Sequence, residues 1–148
     1  MMVQCVQELK EIGYTVGDIR SISFSRGRKT ALAYCRGDKD YHYNPYKCEY
    51  ENPAFHIRVH GAFRDLDESY RDDMKALVMH EVIHAVDCPY YRKMMHNLVG
   101  IPDHGPEYIK IKNDVERVYG YRDIHDPELK NDTRLHKYLD IYYGEQRR

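Results

Sequence analysis

The sequence contains no tryptophan, no Cys-x-x-Cys pair and no long apolar run. The four cysteines are scattered, which argues against a zinc ribbon, a redox motif or a disulfide framework. Without about 20 consecutive apolar residues, the chain offers no candidate for a membrane-spanning helix. Its first residues also lack a basic stretch followed by an apolar one, so no secretory signal is predicted. We therefore expect a cytoplasmic protein, in the host cytoplasm if a phage or virus encodes it.

Charge and composition further limit the class of protein to which this chain can belong. A formal net charge of −1 over 148 residues gives no general attraction to nucleic acid or acidic membranes. The single basic cluster, at 26–29 with Arg20 nearby, is too small to supply DNA affinity by charge and is typical of a solvated turn. Apolar residues make up 42% of the chain and charged residues 32%, as in ordinary folded proteins. Length and composition predict one domain with its own core.

The first half of the chain predicts a helix followed by a small sheet. Helical spacing of apolar residues gives a short helix that ends near Gly13. Alternation then predicts three strands, the first two joined as a hairpin, at about 19–24, 31–35 and 55–60. The segment 37–53, rich in Asp, Asn, Tyr and Pro, is predicted mainly as loop.

The third strand has the most regular pattern. Phe55, Ile57 and Val59 alternate with polar residues and are expected to face the core. His56 and His60 would then lie on the opposite, exposed face. We interpret both histidines as solvated strand positions rather than metal ligands.

The second half predicts helices. A helix capped within 65–69 runs to about Asp87, where Cys88-Pro89 ends it, and it is apolar nearly all round from Ala76 onward. A possible helical turn follows at 91–98. The remaining helices are expected from Pro106 to Gly120 and from about Thr133.

The buried half of the first of these helices contains His80-Glu81-Val82-Ile83-His84. Residues four apart on a helix lie on the same face, so two imidazoles at this spacing can ligate one metal ion. Glu81 is placed to hold a water on the open coordination position and to act as its general base. A buried cluster of this kind needs partners, because unpaired polar groups in a core are costly. A zinc ion, Zn²⁺, would satisfy all three side chains.

A catalytic zinc site commonly has three protein ligands, so a third must come from elsewhere. His104 precedes the helix that begins at Pro106, and it is the preferred candidate. Glu107 is the alternative and would give a His-His-Glu site. His96 and Cys88 are weaker candidates, more typical of a surface residue and a buried small side chain. The residues that could orient a ligand imidazole are Asp87 and Asp103.

The two motif blocks, His80-Glu81-Val82-Ile83-His84 and His104-Gly105-Pro106-Glu107-Tyr108, resemble the SprT-like (SprT/Spartan-type) zinc metalloprotease family. That family pairs H-E-x-x-H with a downstream H-G-x-x-aromatic motif. The resemblance implies that His80, His84 and His104 bind zinc and that Glu81 is the catalytic base. Many members carry a cysteine-rich zinc element or basic segments after the core. This chain has neither, so DNA dependence is not expected to carry over.

The resemblance implies an α+β, zincin-like minimal metalloprotease, with a small antiparallel three-stranded sheet packed on two zinc-bearing helices. The protease domain is expected at 1–121, followed by a charged, partly helical tail at 122–148. Within the domain, the parts are an N-terminal helix at 1–14, the sheet at 15–64 and the zinc helices at 66–120.

The expected function is zinc-dependent hydrolysis of peptide bonds in a protein or peptide substrate. The alternative is a non-catalytic, zinc-stabilised module that binds a protein or DNA partner. A purely structural site has no need of Glu81, which favours the enzyme. A zinc hydrolase acting on a non-peptide amide is also compatible with the motif.

Overall fold

The computed structural model of this protein describes residues 1–25, 32–38, 42–47, 49–51, 54–86, 106–121 and 133–146. Its helices are α1 (Met2–Glu11), α2 (Arg71–Ile83), α3 (Pro106–Tyr119) and α4 (Arg134–Gln146). Its strands are β1 (Asp18–Ser25), β2 (Ala33–Gly37), β3 (His42–Asn44), β4 (Glu49–Glu51) and β5 (Ala54–His60). Two 3-10 turns, Gly61–Phe63 and Glu68–Tyr70, lead from β5 into α2.

The fold class is α+β, with a small mixed sheet of three strands in the order β1-β5-β2. Strand β5 pairs in parallel with β1 and antiparallel with β2. The predicted antiparallel sheet, with its first two strands in a hairpin, is therefore wrong, because β1 and β2 lie on opposite edges. Strand β5 occupies the centre of the sheet because its inner face is the most apolar. Ile57 and Val59 of β5 are 0% and 3% exposed, whereas Ile22 of β1 is 42% exposed.

One end of β5 also differs from its prediction. His60 is buried, not exposed. Its Nδ1 accepts a hydrogen bond from the amide of Ala62 at 3.0 Å, so the proton of the neutral ring lies on Nε2, which contacts the Tyr143 hydroxyl at 2.6 Å. Because Tyr143 belongs to α4, a distant helix covers a position that strand alternation alone predicts as solvated. His56, by contrast, stays partly exposed.

Strands β3 and β4 form a separate antiparallel hairpin within the stretch predicted mainly as loop. The Asn44 side chain accepts hydrogen bonds from the backbone amides of Tyr46 (2.9 Å) and Lys47 (3.3 Å). An asparagine that bonds its own backbone two residues on supports a tight reversal. The local sequence contained this turn signal, but three-residue strands are too short for alternation to reveal.

The helix boundaries follow their sequence signals closely. Gly13 (φ +99°) and Gly120 (φ +70°) both adopt the left-handed conformation just after α1 and α3, as predicted for helix-ending glycines. The Asp67 side chain accepts from the amide of Ser69 at 2.9 Å at the start of the turn before α2. The helix expected from about Thr133 is α4, which begins at Arg134.

Helix α2 is shorter than predicted. It ends at Ile83, where His84 and Ala85 turn on hydrogen bonds to carbonyls three residues back. The Ala85 carbonyl then accepts from the amide of Gly17 at 2.7 Å, just before β1. This contact fixes the end of α2 to the beginning of the sheet. Asp87 and the predicted turn at 91–98 lie outside the described residues.

The core is formed where α2 packs against the sheet, α1 and α3. Its fully buried side chains include Leu9, Ile57, Val82 and Val115, one from each of these elements. Leu135 and Leu139 bring α4 into the same core, so this helix of the predicted tail packs on the body of the protein. In the part of the chain that the structure describes, no helix is long and apolar enough to cross a membrane.

Candidate metal centre

The first histidine and the glutamate of the motif lie in the part of α2 that is buried on every side, and the second histidine directly follows this helix. Each residue from Ala76 to Ile83 is buried, as the sequence predicts. His80 is 6% exposed and Glu81 only 4%. His84, which directly follows the helix, is half-buried. The site is therefore largely shielded from solvent, with His84 at its more open side.

The two imidazoles are close enough to serve one ion. Their ring centres lie 5.3 Å apart at an interplanar angle of 75°. Nε2 of His80 lies 3.8 Å from a carboxylate oxygen of Glu81, longer than a hydrogen bond but within range of one shared small ligand. Two nitrogen donors and a nearby carboxylate in a buried setting are a donor set suited to zinc.

Tyr108 of α3 covers both imidazoles. Its ring centre lies 5.3 Å from that of His80 and 4.8 Å from that of His84. Its hydroxyl donates a hydrogen bond to the His80 carbonyl at 3.1 Å. The contact fixes α3 against α2 at the level of the motif. The sequence identified Tyr108 only as the aromatic of the second motif, and its role as a cover becomes visible only in the packing.

The electrostatics of Glu81 reflect its burial. Burial raises the pKa of Glu81 to about 8, because a carboxylate is poorly solvated in the core. A divalent cation on the neighbouring imidazoles would favour the ionised carboxylate again. The site therefore holds a carboxyl group whose proton affinity lies near neutral pH, which is the range useful to a general acid or base.

Cys35, on the edge strand β2, lies near Glu81. Burial raises the pKa of Cys35 to about 12, with a further contribution from the negative charge of Glu81. Without a metal the thiol therefore stays neutral at physiological pH, and over the described residues it does not form a metal-binding group with two other ligand side chains. Sequence reasoning had no means of placing Cys35 near Glu81, because the two are brought together only by the packing of α2 on β2.

Most candidates for a third ligand lie outside the described residues. His104, together with His96, Cys88, Asp87 and Asp103, lies outside the described residues. Glu107 is described and is half-buried at the start of α3. Over the described ranges, no three His, Cys, Asp or Glu side chains converge as a metal-binding group. This holds both for Glu107 with His80 and His84 and for Glu81 with the same histidines, so the choice between His104 and Glu107 stays a prediction.

Comparison with known proteins adds no relative: no family model, no curated protein and no solved structure matches this chain. The function is therefore inferred from the residues of the candidate metal centre and from their geometry.

Proposed function

We propose that this protein is a zinc-dependent metallopeptidase of the SprT-like type. The observation that carries the proposal is the juxtaposition of His80, Glu81 and His84 in a buried, tyrosine-covered site. Two imidazoles four positions apart on one helix face are spaced to ligate a single metal ion. Nitrogen donors with a carboxylate beside them are a donor set that suits zinc.

The ligands proposed for the zinc are His80 and His84, with His104 as the third by resemblance. When bound, zinc supplies positive charge that polarises a substrate carbonyl and lowers the pKa of a water molecule. Glu81 accepts a proton from the attacking water and delivers it to the leaving amine as the peptide bond breaks. Burial favours the protonated form of Glu81, which delivers the proton, whereas the positive charge of zinc would favour the ionised form, which accepts it.

Tyr108 and the fold of α2 keep this arrangement rigid. The tyrosine ring restricts both imidazoles, and its hydrogen bond to the His80 carbonyl fixes the helix beneath them. Ligands held in place before the reaction do not have to reorganise during it. Tyr108 is therefore a positioning residue in this proposal.

The zinc content of purified protein tests the ligand set. We expect about one zinc ion per chain in the wild type, the number that a single three-ligand site would hold. His104→Ala should lose most of this zinc, whereas Glu107→Ala should keep it. Elemental analysis of the three proteins, prepared side by side with His80→Ala as the positive control for loss, gives the measurement. Folding of each variant is checked by circular dichroism.

Two results would contradict the proposal. Wild-type protein that remains metal-free after zinc is supplied would mean that His80 and His84 are core residues without a metal. Zinc retained in His104→Ala but lost in Glu107→Ala would replace His104 by Glu107 in the ligand set. Removal of zinc separates catalytic from structural binding, since a site that only stabilises the fold should unfold the protein when stripped.

A further inference from the structure

The outer edge of β1 has few of the features that usually protect an edge strand. After an irregularity between Ile19 and Ser21, the pairing of β1 with β5 is regular from Ser21 to Ser25. Within the described part of the chain, the other side of this stretch has no strand beside it. Its sequence, Ser-Ile-Ser-Phe-Ser, contains no charge and no proline, the residues that usually prevent edge strands from pairing with other chains. Among the residues that the structure describes, this edge is therefore open to another strand.

The same edge leaves apolar surface exposed. Ile22 and Phe24 are 42% and 37% exposed, although they stand beside the buried Ile57 and Val59 in the sheet. They therefore belong to the apolar face of the sheet, at the edge where its cover is incomplete. A cleft of about 570 Å³ lies here between β1, the turns that follow β5 and the first half of α2.

The charges around the cleft nearly balance. Its rim carries Arg64 and Arg71, together with Asp67 and Glu68. The Arg64 guanidinium lies 5.4 Å from the ring centre of Phe24, as in a cation–π contact. Lys75, which also lines the cleft, is neutralised by Glu8 at 3.1 Å. Because the rim of the cleft carries both positive and negative charges, a second copy of the chain can bind there without strong like-charge repulsion.

The regular stretch of the edge is symmetric about its middle residue, Ser23. If two β1 strands meet antiparallel with Ser23 opposite Ser23, then Ile22 of each copy lies opposite Phe24 of the other. Residues directly opposite in an antiparallel pair share one face of the sheet, and aromatic with β-branched pairs are favourable there. Both pairs would lie over the two clefts and complete the cover of the apolar face.

We propose that two copies of this chain pair antiparallel along β1, with the two-fold axis at Ser23. The result is one continuous six-stranded sheet in the order β2-β5-β1-β1-β5-β2. A standard interface buries roughly 800 Å² of surface per partner, and a strand pair of five residues buries less than this. The remaining buried area must come from Ile22, Phe24 and the surfaces of the clefts. In this arrangement Cys35, near Glu81, lies on β2 at the edge of the sheet far from the proposed pairing.

Sedimentation velocity across a concentration series tests the pairing. The wild type is expected to shift from 17.7 kDa to about twice this mass as its concentration rises. Ile22→Glu or Phe24→Lys should each raise the dimer dissociation constant about tenfold or more, because each dimer carries the substitution twice. Ile141→Glu on α4, at a position that is 62% exposed, is the matched control and should dimerise like the wild type.

The double variant Ile22→Glu/Phe24→Lys tests the register. Its introduced carboxylate in each copy would lie opposite the introduced ammonium of the other copy, so the double variant should restore the dimer. Wild type that stays monomeric at several hundred micromolar would overturn the proposal, and so would undiminished dimerisation of Ile22→Glu. A double variant no more dimeric than its single parents would overturn the Ser23-centred pairing. All proteins are compared at the same zinc content after free metal has been removed by gel filtration, so that metal-mediated association does not contribute, and their folding is checked by circular dichroism.

Discussion

Replacing Glu81 by glutamine is expected to abolish peptide hydrolysis while leaving the zinc content unchanged. Glutamine has nearly the shape of glutamate but cannot take a proton from water. A positioned general base contributes about 10²–10⁴-fold to a rate, so a loss of at least this size is expected. Zinc should remain, because Glu81 is proposed as the base and not as a ligand. The measurement is the rate of cleavage of an unstructured protein or peptide mixture, expressed per zinc-loaded chain.

The control for this experiment is Glu107→Gln. Glu107 is half-buried beside Tyr108 but does not converge with the two motif histidines. Its loss should leave both zinc and activity within about twofold of the wild type, as is usual for a change outside the reacting groups. Activity of Glu81→Gln within tenfold of the wild type would contradict the role of Glu81 as the base. Loss of zinc in Glu81→Gln would instead make Glu81 a ligand.

Local signals in the sequence were sufficient for the described helices, apart from the end of α2, which was predicted too late in the chain. The span of α3 follows from Pro106, one apolar face and Gly120, all within a single stretch of chain. The burial of His80 and Glu81 follows from an apolar surrounding that continues around the whole helix. In each case the interactions that determine the structure join residues a few positions apart, so the sequence displays them directly.

The sheet could not be predicted in the same way. Strand order depends on which strand fills the centre, and this is a competition between segments far apart in the chain. The turn that the sequence predicts at 25–28 favoured a hairpin, but the more apolar β5 lies between β1 and β2. His60 was misplaced for a related reason, since Tyr143 of α4 covers it from 83 positions away.

The candidate site contains features that local sequence determines and features that depend on tertiary packing. The spacing of His80 and His84 is a local property, so their shared helix face can be predicted directly. Tyr108 over the two imidazoles and Cys35 near Glu81 arise from packing between elements, which no spacing reveals. Local spacing thus suggests the chemistry of the site, whereas tertiary contacts provide its rigidity and its low exposure to water.

The largest effect on stability away from the site is expected for Glu8→Ala. Glu8 is only 6% exposed, yet it carries a carboxyl group. Its oxygens accept a hydrogen bond from the Tyr121 hydroxyl at 2.7 Å and form an ion pair with Lys75 at 3.1 Å. Burial, followed by the hydrogen bond to Glu8, raises the pKa of Tyr121 well above its ordinary value, so this hydroxyl keeps its proton. The cluster joins α1, α2 and the segment that follows α3.

Removing one partner of a buried ion pair costs about 3–5 kcal/mol, and the partial exposure of Lys75 places Glu8→Ala near the lower limit, at roughly 3 kcal/mol. The free energy of unfolding in urea gives the measurement. Glu11→Ala on the same helix is the control: Glu11 accepts from Tyr119 at 2.8 Å but is exposed, so its loss should cost less than about 0.5 kcal/mol.

A double-mutant cycle with Tyr121→Phe separates the hydrogen bond from the ion pair. Because the Tyr121 hydroxyl contacts both carboxylate oxygens, at 2.7 and 3.3 Å, the two substitutions should be less than additive. Additive losses would mean that Glu8 acts through Lys75 alone. Equal losses of unfolding free energy for Glu8→Ala and Glu11→Ala would show that burial does not increase the contribution of Glu8 to stability. The cluster would then not be what fixes α1 to the helix that carries the candidate site.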